Sequence, residues 1–234
     1  MKVKKTRAVF ITGTGTGVGK SMVCGLLGRF LLEKEYRVTT QKWVQTGTDE
    51  LDSDIDLHLK LMGKERKDVK EFLPHIMPYS FKFAASPHLA AQLEAVRIKT
   101  SKIKQSFKVL ASNFEFVIVE GAGGALVPFN RRKLLIDIAA SLNLEVVIVA
   151  QNELGAINHT LLTIEAVKKR GLKICGIIFN NVSSRGNKSI LKDNIKIIKE
   201  ISKEKILGEL PFMKNEQRLY EAFIPIGNKF LMAR

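Results

Sequence analysis

The sequence predicts an α/β fold in which a mostly parallel sheet of about six to seven strands carries helices on both faces. Segments with the periodicity of strands alternate with segments with the periodicity of helices along the whole chain. Two strand segments, Phe116–Val119 and Val146–Val149, are continuous apolar runs, which are typical of parallel strands buried on both faces. A glycine-rich turn joins the first strand to the first helix, and ligands of such sheets bind at the carboxyl ends of the strands.

That turn predicts a phosphate-binding loop and hence a P-loop NTPase-like fold. The segment Thr12–Ser21 ends in the sequence Gly-Lys-Ser at the strand-to-helix junction. Its glycines allow successive backbone N–H groups to point at one spot, and the helix N-terminus adds further donors and a partial positive charge. We expect Lys20 to reach the β- and γ-phosphates of a nucleotide and Ser21 to offer its hydroxyl to Mg²⁺.

The remaining elements follow in order from their patterns. Six strands are predicted, at Arg7–Thr12, Arg37–Trp43, Phe114–Val119, Glu145–Ala150, Lys173–Phe179 and Lys205–Glu209. Seven helices are predicted, at Lys20–Glu35, Asp54–Met62, Pro87–Glu94, Thr100–Ser112, Leu135–Leu142, Ile157–Arg170 and Ser189–Ser202. The pattern gives no assignment for Ile224–Arg234.

Length and cysteine content favour one cytoplasmic domain. The chain has 234 residues and no repeat or linker, so we interpret residues 1–234 as a single domain. The basic start is followed by too few apolar residues for a secretory signal, and no apolar run is long enough to span a membrane. Cys24 and Cys175 show neither metal spacing nor a disulfide framework, which favours a reducing cytoplasm.

The formal net charge of +15 raises the question of a nucleic-acid partner. The excess is mostly lysine, and it is spread from Lys2 to Lys229 without forming one block. We therefore expect solvated helix faces, with no nucleic acid and no membrane among the partners.

Charged side chains follow the second strand. Lys42 lies at its end and is either an ordinary solvent-facing lysine or a group that neutralises phosphate charge in a transition state. An acidic cluster comes next and consists of Asp49, Glu50, Asp52, Asp54 and Asp56. Its acids either cap a helix that begins at Asp54, with Asp52 or Ser53 as the cap, or give one carboxylate, that of Asp54, to Mg²⁺.

After the third strand, an acid and a run of small residues resemble a Walker B element. The run consists of Glu120, Gly121, Ala122, Gly123 and Gly124. A buried apolar strand needs no terminal acid for packing, so we expect the Glu120 carboxylate to hold Mg²⁺ directly or through water. The glycines allow the backbone to approach a ligand closely.

The ends of the last three strands carry weaker signals. The helix start at Gly155–Asn158 either binds a carboxylate with open N–H groups or is merely capped by Asn158. Asn180 and Asn181 match the hydrogen-bonding edge of a purine, although asparagine is equally common in turns. The segment Pro211-Phe212-Met213 includes an aromatic side chain that could wall a base.

Taken in order, these motifs resemble those of dethiobiotin synthetase. The resemblance includes the glycine loop, the segment Lys42–Gly47, the Glu120–Gly124 run and the segment Gly155–Thr163. The family's loop also has five residues between its glycines, which accounts for Thr14 at the place where the strict P-loop pattern has glycine. The chain departs from the family at three positions: Trp43 replaces a usual proline, Gly17 a common acidic residue, and Ser21 a usual threonine.

The resemblance implies an ATP- and Mg²⁺-dependent ligase that carboxylates 7,8-diaminononanoate with CO₂ and closes the ureido ring. It implies catalytic roles for Lys20, Lys42 and Thr16, and Mg²⁺ ligation by Ser21, Asp54 and Glu120. It further implies a homodimer in which one subunit presents part of the substrate site. The implied nucleotide contacts are Gly17, Val18, Gly19, Lys20, Ser21, Met22, Asp54, Glu120, Gly121, Ala122, Gly123, Asn180, Asn181, Pro211, Phe212 and Met213. The implied substrate contacts are Thr46, Gly155, Ala156, Ile157 and Asn158.

The main alternative is a switch ATPase of the ParA and MinD type that binds DNA or a membrane. That class carries a lysine near the start of the loop, where this chain has Gly15. No amphipathic membrane helix is evident in Glu216–Arg234. Both observations favour the ligase.

Overall fold

The structure, a computed structural model, describes residues 6–48, 53–183 and 186–233. Its strands are β1 (Arg7–Gly13), β2 (Val38–Lys42), β3 (Gln45–Thr46), β4 (Ser80–Phe81), β5 (Phe116–Gly124), β6 (Pro128–Asn130), β7 (Lys133–Leu134), β8 (Glu145–Gln151), β9 (Ile174–Asn180) and β10 (Ile206–Leu210). Its α-helices are α1 (Lys20–Glu33), α2 (Asp54–Leu61), α3 (Leu73–Ile76), α4 (Pro87–Leu93), α5 (Thr100–Asn113), α6 (Leu135–Ser141), α7 (Ala156–Lys168), α8 (Lys188–Ser202) and α9 (Glu216–Met232). A 3₁₀ helix covers Arg66–Phe72.

Six strands form one parallel sheet in the order β10-β9-β8-β1-β5-β2. The predicted α/β class and the parallel sheet are confirmed. All six carboxyl ends lie at one edge, as the parallel direction requires. Two short pairs lie outside this sheet: parallel β3–β4 and antiparallel β6–β7.

Two apolar clusters cover the two faces of the sheet. Val9 and Ile11 of β1 belong to a cluster with α1 and α9, whereas Phe10 belongs to a cluster with α3, α5, α6, α7 and α8. This alternation follows from the two-residue period of a strand. Helix α2 contributes to both clusters at the β2 edge. The apolar runs predicted to be buried on both faces are therefore buried as expected.

Strand β5 corrects one predicted boundary. The sequence places the end of this strand at Val119, but β5 continues to Gly124 because Gly124 pairs with Gly13 of β1. Glu120 is therefore an internal residue of a buried strand. Its neighbours Ile11 and Lys42 lie in register on either side of it.

Helix α9 was not predicted, and it is amphipathic. Pro225 interrupts its pattern, since proline in a helix interior removes one backbone hydrogen bond. The apolar side chains of Leu219, Phe223 and Phe230 are nevertheless buried against the sheet and α1. A β-carbon on Gly227 would lie 2.7 Å from the ring of Phe30, so glycine permits the close approach of the two helices. Among the described residues, no helix has the length and apolar character required to cross a membrane.

Candidate functional site

The phosphate loop lies between β1 and α1, as predicted. Thr14 donates its backbone N–H to the Val149 carbonyl (3.1 Å), which fixes the loop to β8. Gly19 precedes α1 in the left-handed region (φ +95°), and no side chain caps the helix. The N-terminus of α1 is thus left open to an anion. Across the loop, Lys20 Nζ donates to the Gly15 carbonyl at 2.9 Å.

Beside this loop, one lysine and two carboxylates form a cluster in which Lys42 and Glu120 are buried and Asp54 is partly exposed. Lys42 Nζ lies 2.6 Å from Asp54 Oδ2 and 2.7 Å from Glu120 Oε1. It also donates to the Gly121 carbonyl at 3.2 Å. Ser21 Oγ lies 2.7 Å from Asp54 Oδ1 and 2.9 Å from Glu120 Oε1, so both carboxylates are within reach of its single proton. The structure therefore brings together the lysine and all three proposed metal ligands.

Local structure explains why these groups meet. Lys42 and Glu120 occupy paired positions on β2 and β5, so their side chains leave the sheet on the same face. Asp54 is the first residue of α2, which Ser53 caps in a capping box. Gln45 Oε1 accepts the backbone N–H of Asp54 at 3.1 Å and ties the helix to the segment after β2. Ser53 is thus the cap, whereas Asp49, Glu50 and Asp52 lie outside the described residues.

Electrostatics hold Lys42 and Glu120 in their charged forms. Burial alone would raise the pKa of Glu120, but the ammonium of Lys42 and the hydrogen bond from His58 outweigh it and hold that pKa well below its usual range. Burial would likewise lower the pKa of Lys42, but Glu120 and Asp54 raise it to about 12. Burial and the charge of Lys42 lower the pKa of Lys20.

A cavity of about 430 Å³ opens over this cluster. Among the predicted site residues, it is lined by Thr16, Gly17, Gly19, Lys20, Ser21, Met22, Lys42, Thr46, Asp54, Glu120, Ala122 and Gly123. Gly121 and Val18 lie behind the residues that line the cavity. The Gly121 carbonyl accepts a hydrogen bond from Lys42, and the Val18 carbonyl accepts one from Asn180. A larger groove of about 700 Å³, between α4, the start of α5 and the β6–β7 hairpin, contains none of the predicted site residues.

The predicted base-binding residues lie at the neighbouring strand ends. Asn180 closes β9 and donates its amide to the Val18 carbonyl at 2.9 Å, so it packs against the phosphate loop. Asn181 donates to Glu209 Oε1 at 2.8 Å. Phe212 and Met213 follow β10 and are exposed. A role for these residues, and for Pro211 beside them, in holding a base stays a prediction.

Within the described residues, the helix start at Gly155–Asn158 does not line the 430 Å³ cavity. Gly155 is the N-cap of α7 (φ +91°), so the interpretation of Asn158 as the cap is wrong. No side chain caps α7, but the N–H of Ala156 already donates to the Glu153 carbonyl at 3.1 Å, so a carboxylate site here would use the N–H groups of Ile157 and Asn158. Its role in substrate binding, from a neighbouring subunit, stays a prediction.

Two side chains of the site were not identified from the sequence. His58 Nε2 lies 2.7 Å from Glu120 Oε2, and both groups are buried. Gln45 anchors the start of α2, as described above. A signal for His58 was present, because His58 follows Asp54 by four residues in a predicted helix and so shares its face.

The cluster fits a magnesium ion. Mg²⁺ takes hard oxygen ligands, usually one or two carboxylates with phosphate and water. Oxygen atoms of Ser21, Asp54 and Glu120 converge here, and the ammonium of Lys42 occupies the position of a cation between the two carboxylates.

Comparisons with known proteins settle the family. A family model described as an AAA domain matches residues 7–218. A protein of Chlorobaculum tepidum named ATP-dependent dethiobiotin synthetase is 37% identical over 210 residues, which cover 90% of this chain and 87% of the relative. The chain belongs to the dethiobiotin synthetase family. A second family member, from Anoxybacillus flavithermus, is 37% identical over 215 residues, covering 89% and 93% of the two chains. The resemblance drawn from the order of the motifs is confirmed, and with it the assignment to a family of ATP-dependent ligases.

Solved structures confirm the P-loop NTPase-like fold. A MinC:MinD cell division complex from Aquifex aeolicus matches with a TM-score of 0.61 and 17% identity, covering 98% of this chain and 96% of that chain. A ParA family ATPase from Chlorobium tepidum matches with a TM-score of 0.56 and 16% identity, covering 98% and 92%. At such identities the likeness concerns the fold alone.

The structure shows the surroundings of two residues that depart from the family pattern, Trp43 and Gly17. Trp43 is fully buried, stacks on Phe10 with 5.0 Å between ring centroids, and donates to Gln41 Oε1 at 3.0 Å. Its side chain therefore packs in the core while Lys42 faces the cavity. A β-carbon at Gly17 would meet no atom within 4 Å, so the cavity is open where the family commonly has an acid.

Proposed function

We propose that the chain converts 7,8-diaminononanoate, CO₂ and ATP into dethiobiotin, ADP and phosphate. One observation carries the proposal: Lys42, Asp54, Glu120 and Ser21 form a single hydrogen-bonded cluster beside the phosphate loop. In the proposed reaction, the loop would cradle a triphosphate, the oxygens of the cluster would hold a metal ion, and the Lys42 ammonium would stabilise the reacting phosphoryl group. Family membership supplies the identity of the substrates.

The reaction proceeds in three balanced steps. An amine of the substrate attacks CO₂, which forms an N–C bond and releases a proton to give a carbamate. A carbamate oxygen then attacks the γ-phosphorus of ATP, and ADP leaves with the electron pair of the broken P–O bond. The second amine attacks the carbon of the resulting carbamic–phosphoric anhydride, expels phosphate, loses a proton and closes the ring.

The side chains of the cluster and of the adjoining cavity wall have roles in these steps. Lys20 and Lys42 stabilise the negative charge that the γ-phosphoryl group and the carbamate share during transfer. Thr16 contacts phosphate, and Thr46 contacts the carbamate or the diamine. Ser21, Asp54 and Glu120 would hold Mg²⁺, which neutralises charge on the phosphate oxygens when it is bound.

We also propose that the working unit is a homodimer. The N-terminus of α7, at Gly155–Asn158, has no side-chain cap and would bind the carboxylate tail of a diamine held in the cavity of the neighbouring subunit. Leu126, Leu154 and Leu162 are exposed large apolar side chains in the loop after β5, before α7 and on α7, and a subunit interface would cover them. A single domain over residues 1–234, a cytoplasmic location, and the absence of nucleic-acid or membrane partners stay predictions.

The proposal is tested by incubating the protein with diaminononanoate, bicarbonate, ATP and Mg²⁺, with the product identified by mass spectrometry. We expect dethiobiotin, and phosphate release only when diamine and bicarbonate are both present. Equal ATP hydrolysis without diamine would contradict a synthetase. Nucleotide-dependent retention on DNA or on anionic vesicles in moderate salt would favour the switch-ATPase alternative.

A further inference from the structure

His58 is a buried side chain of the site that the proposed reaction leaves without a role. Its Nε2 atom lies 2.7 Å from Oε2 of Glu120, and neither side chain is more than 1% exposed. The other carboxylate oxygen, Oε1, receives Lys42 at 2.7 Å and Ser21 at 2.9 Å. The two oxygens of Glu120 therefore have separate partners: Oε2 faces the imidazole, and Oε1 faces the cavity cluster.

We propose that His58 is a positioning residue that holds the Glu120 carboxylate in the orientation required to bind the metal–nucleotide complex. The inference rests on the proposed function, since it takes Glu120 as a magnesium ligand. Hydrogen bonds from surrounding side chains orient metal ligands, and their loss typically lowers metal affinity about 10- to 100-fold.

The direction of the hydrogen bond supports this role. Glu120 is ionised, so its oxygens only accept, and Nε2 of His58 must carry the proton that it donates. Nδ1 of His58 is buried and has no hydrogen-bond partner among the described residues. Burying a nitrogen without a partner is unfavourable, and an apolar side chain at this position would avoid it. The hydrogen bond to Glu120 is therefore the interaction that histidine makes at this position and an apolar side chain would not.

Helix α2 links His58 to the rest of the metal site. Asp54 and His58 are four residues apart in α2 and so lie on one face of the helix. Asp54 contacts Ser21 directly, and His58 contacts Glu120. One short helix thus carries one proposed metal ligand and the residue that orients another.

A different metal site at the same place is the main competing interpretation. Ligand atoms of Cys24, His58 and Glu120 lie within 4.8 Å of one another, which is a possible arrangement for a thiophilic ion such as Zn²⁺. Burial and the charge of Glu120 raise the pKa of the Cys24 thiol well above its usual value, which opposes the thiolate that such an ion requires. The variant Cys24→Ala removes the sulfur and leaves the His58–Glu120 contact in place.

The test measures binding of Mn²⁺ to the ADP-bound protein by electron paramagnetic resonance, with no diamine present. His58→Leu removes the donor, and His58→Gln can restore a donor at the end of a side chain of similar reach. We expect at least a tenfold weaker Mn²⁺ affinity for His58→Leu, and affinities within about threefold of wild type for His58→Gln and Cys24→Ala. Unchanged Mn²⁺ affinity in His58→Leu would overturn the proposal, and so would an equal loss in Cys24→Ala.

Two further measurements test the proposal even if His58→Leu does not fold. His58→Met also lacks the donor, has a flexible side chain that fills irregular space, and should show the same loss of affinity. In wild-type protein with ¹⁵N-labelled histidine, adding Mg²⁺ to the ADP complex should shift the ring signals of His58 and leave those of His75 unchanged. An unmoved His58 signal would overturn the proposal. None of these measurements uses the diamine, so failure of ring closure in wild type would refute the proposed reaction separately.

Discussion

Nζ of Lys42 lies 2.6 Å from Oδ2 of Asp54, so an ion pair joins the end of β2 to the first turn of α2. The lysine is almost completely buried, whereas the side chain of Asp54 is 31% exposed to the cavity. The contact is thus accessible from the side on which a nucleotide would enter.

Lys42→Gln should strongly reduce turnover and leave nucleotide binding largely intact. We expect a fall in kcat of about 10²- to 10³-fold, because the role proposed for Lys42 is to stabilise charge that develops during transfer, whereas the loop and Lys20 are proposed to hold the ground-state phosphates. Turnover is measured as dethiobiotin formation, and nucleotide binding by calorimetry. The matched control is Lys60→Gln, which changes an exposed lysine of α2 that pairs with Glu216 at the surface. Loss of nucleotide binding with normal turnover of the residual complex would contradict the assigned role.

Gly19→Ala should destroy nucleotide binding, whereas Gly17→Ala should weaken it only mildly. Both glycines have positive φ angles, +95° and +76°, so alanine costs about 1–2 kcal/mol of backbone strain at either position. Only at Gly19 would the new β-carbon also collide, at 2.1 Å from Nδ2 of Asn180. Titration of the two variants with ATP in a calorimeter distinguishes the effect of backbone strain, which both variants share, from that of the collision, which occurs at Gly19. Similar affinities in the two variants would show that Asn180 does not pack against the loop as described.

Trp43→Ala should destabilise the fold by about 3–5 kcal/mol, because it leaves a cavity beside Phe10 in the core. Trp43→Phe should cost about 1–3 kcal/mol, since it fills most of the space but leaves Gln41 Oε1 without its donor. Urea unfolding followed by circular dichroism measures both values. We expect the KM for the diamine to stay within about threefold of wild type in Trp43→Phe, since the indole packs away from the cavity. A tenfold rise in that KM would place Trp43 in substrate recognition.

Arg66→Ala should destabilise the protein at neutral pH, and the difference from wild type should shrink in acid. Burial alone would raise the pKa of Asp56, but hydrogen bonds from Arg66 and Ser53 lower it from 3.8 to about 2. A carboxylate with a depressed pKa in the folded state adds stability that is present above pH 3.8 and lost as the pH falls towards 2. We expect a difference of about 1 kcal/mol at pH 7, since the pair is partly exposed. Urea titrations between pH 7 and pH 3 measure the trend, and a difference that grew with acidification would contradict it.

The main sheet and the centre of the site were predictable because their signals are local. Each buried strand is a short apolar run, and the glycine loop, Lys42 and Glu120 each follow or close such a run. Parallel strands place their carboxyl ends at one edge, so the meeting of Lys42, Asp54 and Glu120 followed from topology. Continuation of β5 beyond Glu120 was not predictable, because it depends on pairing of Gly124 with Gly13 far away in the chain.

Contacts that depend on three-dimensional packing were also missed. Helix α9 was hidden by Pro225, because its stability comes from burial against α1 and the sheet. The partner of His58 lies 62 residues away on a different element, and no local pattern identifies it. The orientation of Trp43 into the core likewise follows from the position of Phe10 on β1.

The position of β2 at the edge of the sheet has a consequence for the order in which the chain can assemble during synthesis. In the described part of the chain, its one neighbour in the six-stranded sheet is β5, and Glu120 is made 78 residues after Lys42. At about 5–20 residues per second, a ribosome takes about 4–16 s to supply that carboxylate. During this interval the nascent chain has the phosphate loop and the lysine, but β2 has no strand with which to pair. We expect stalled chains that end before residue 116 to be cleaved by protease near Val38–Lys42, and protection there would contradict this order.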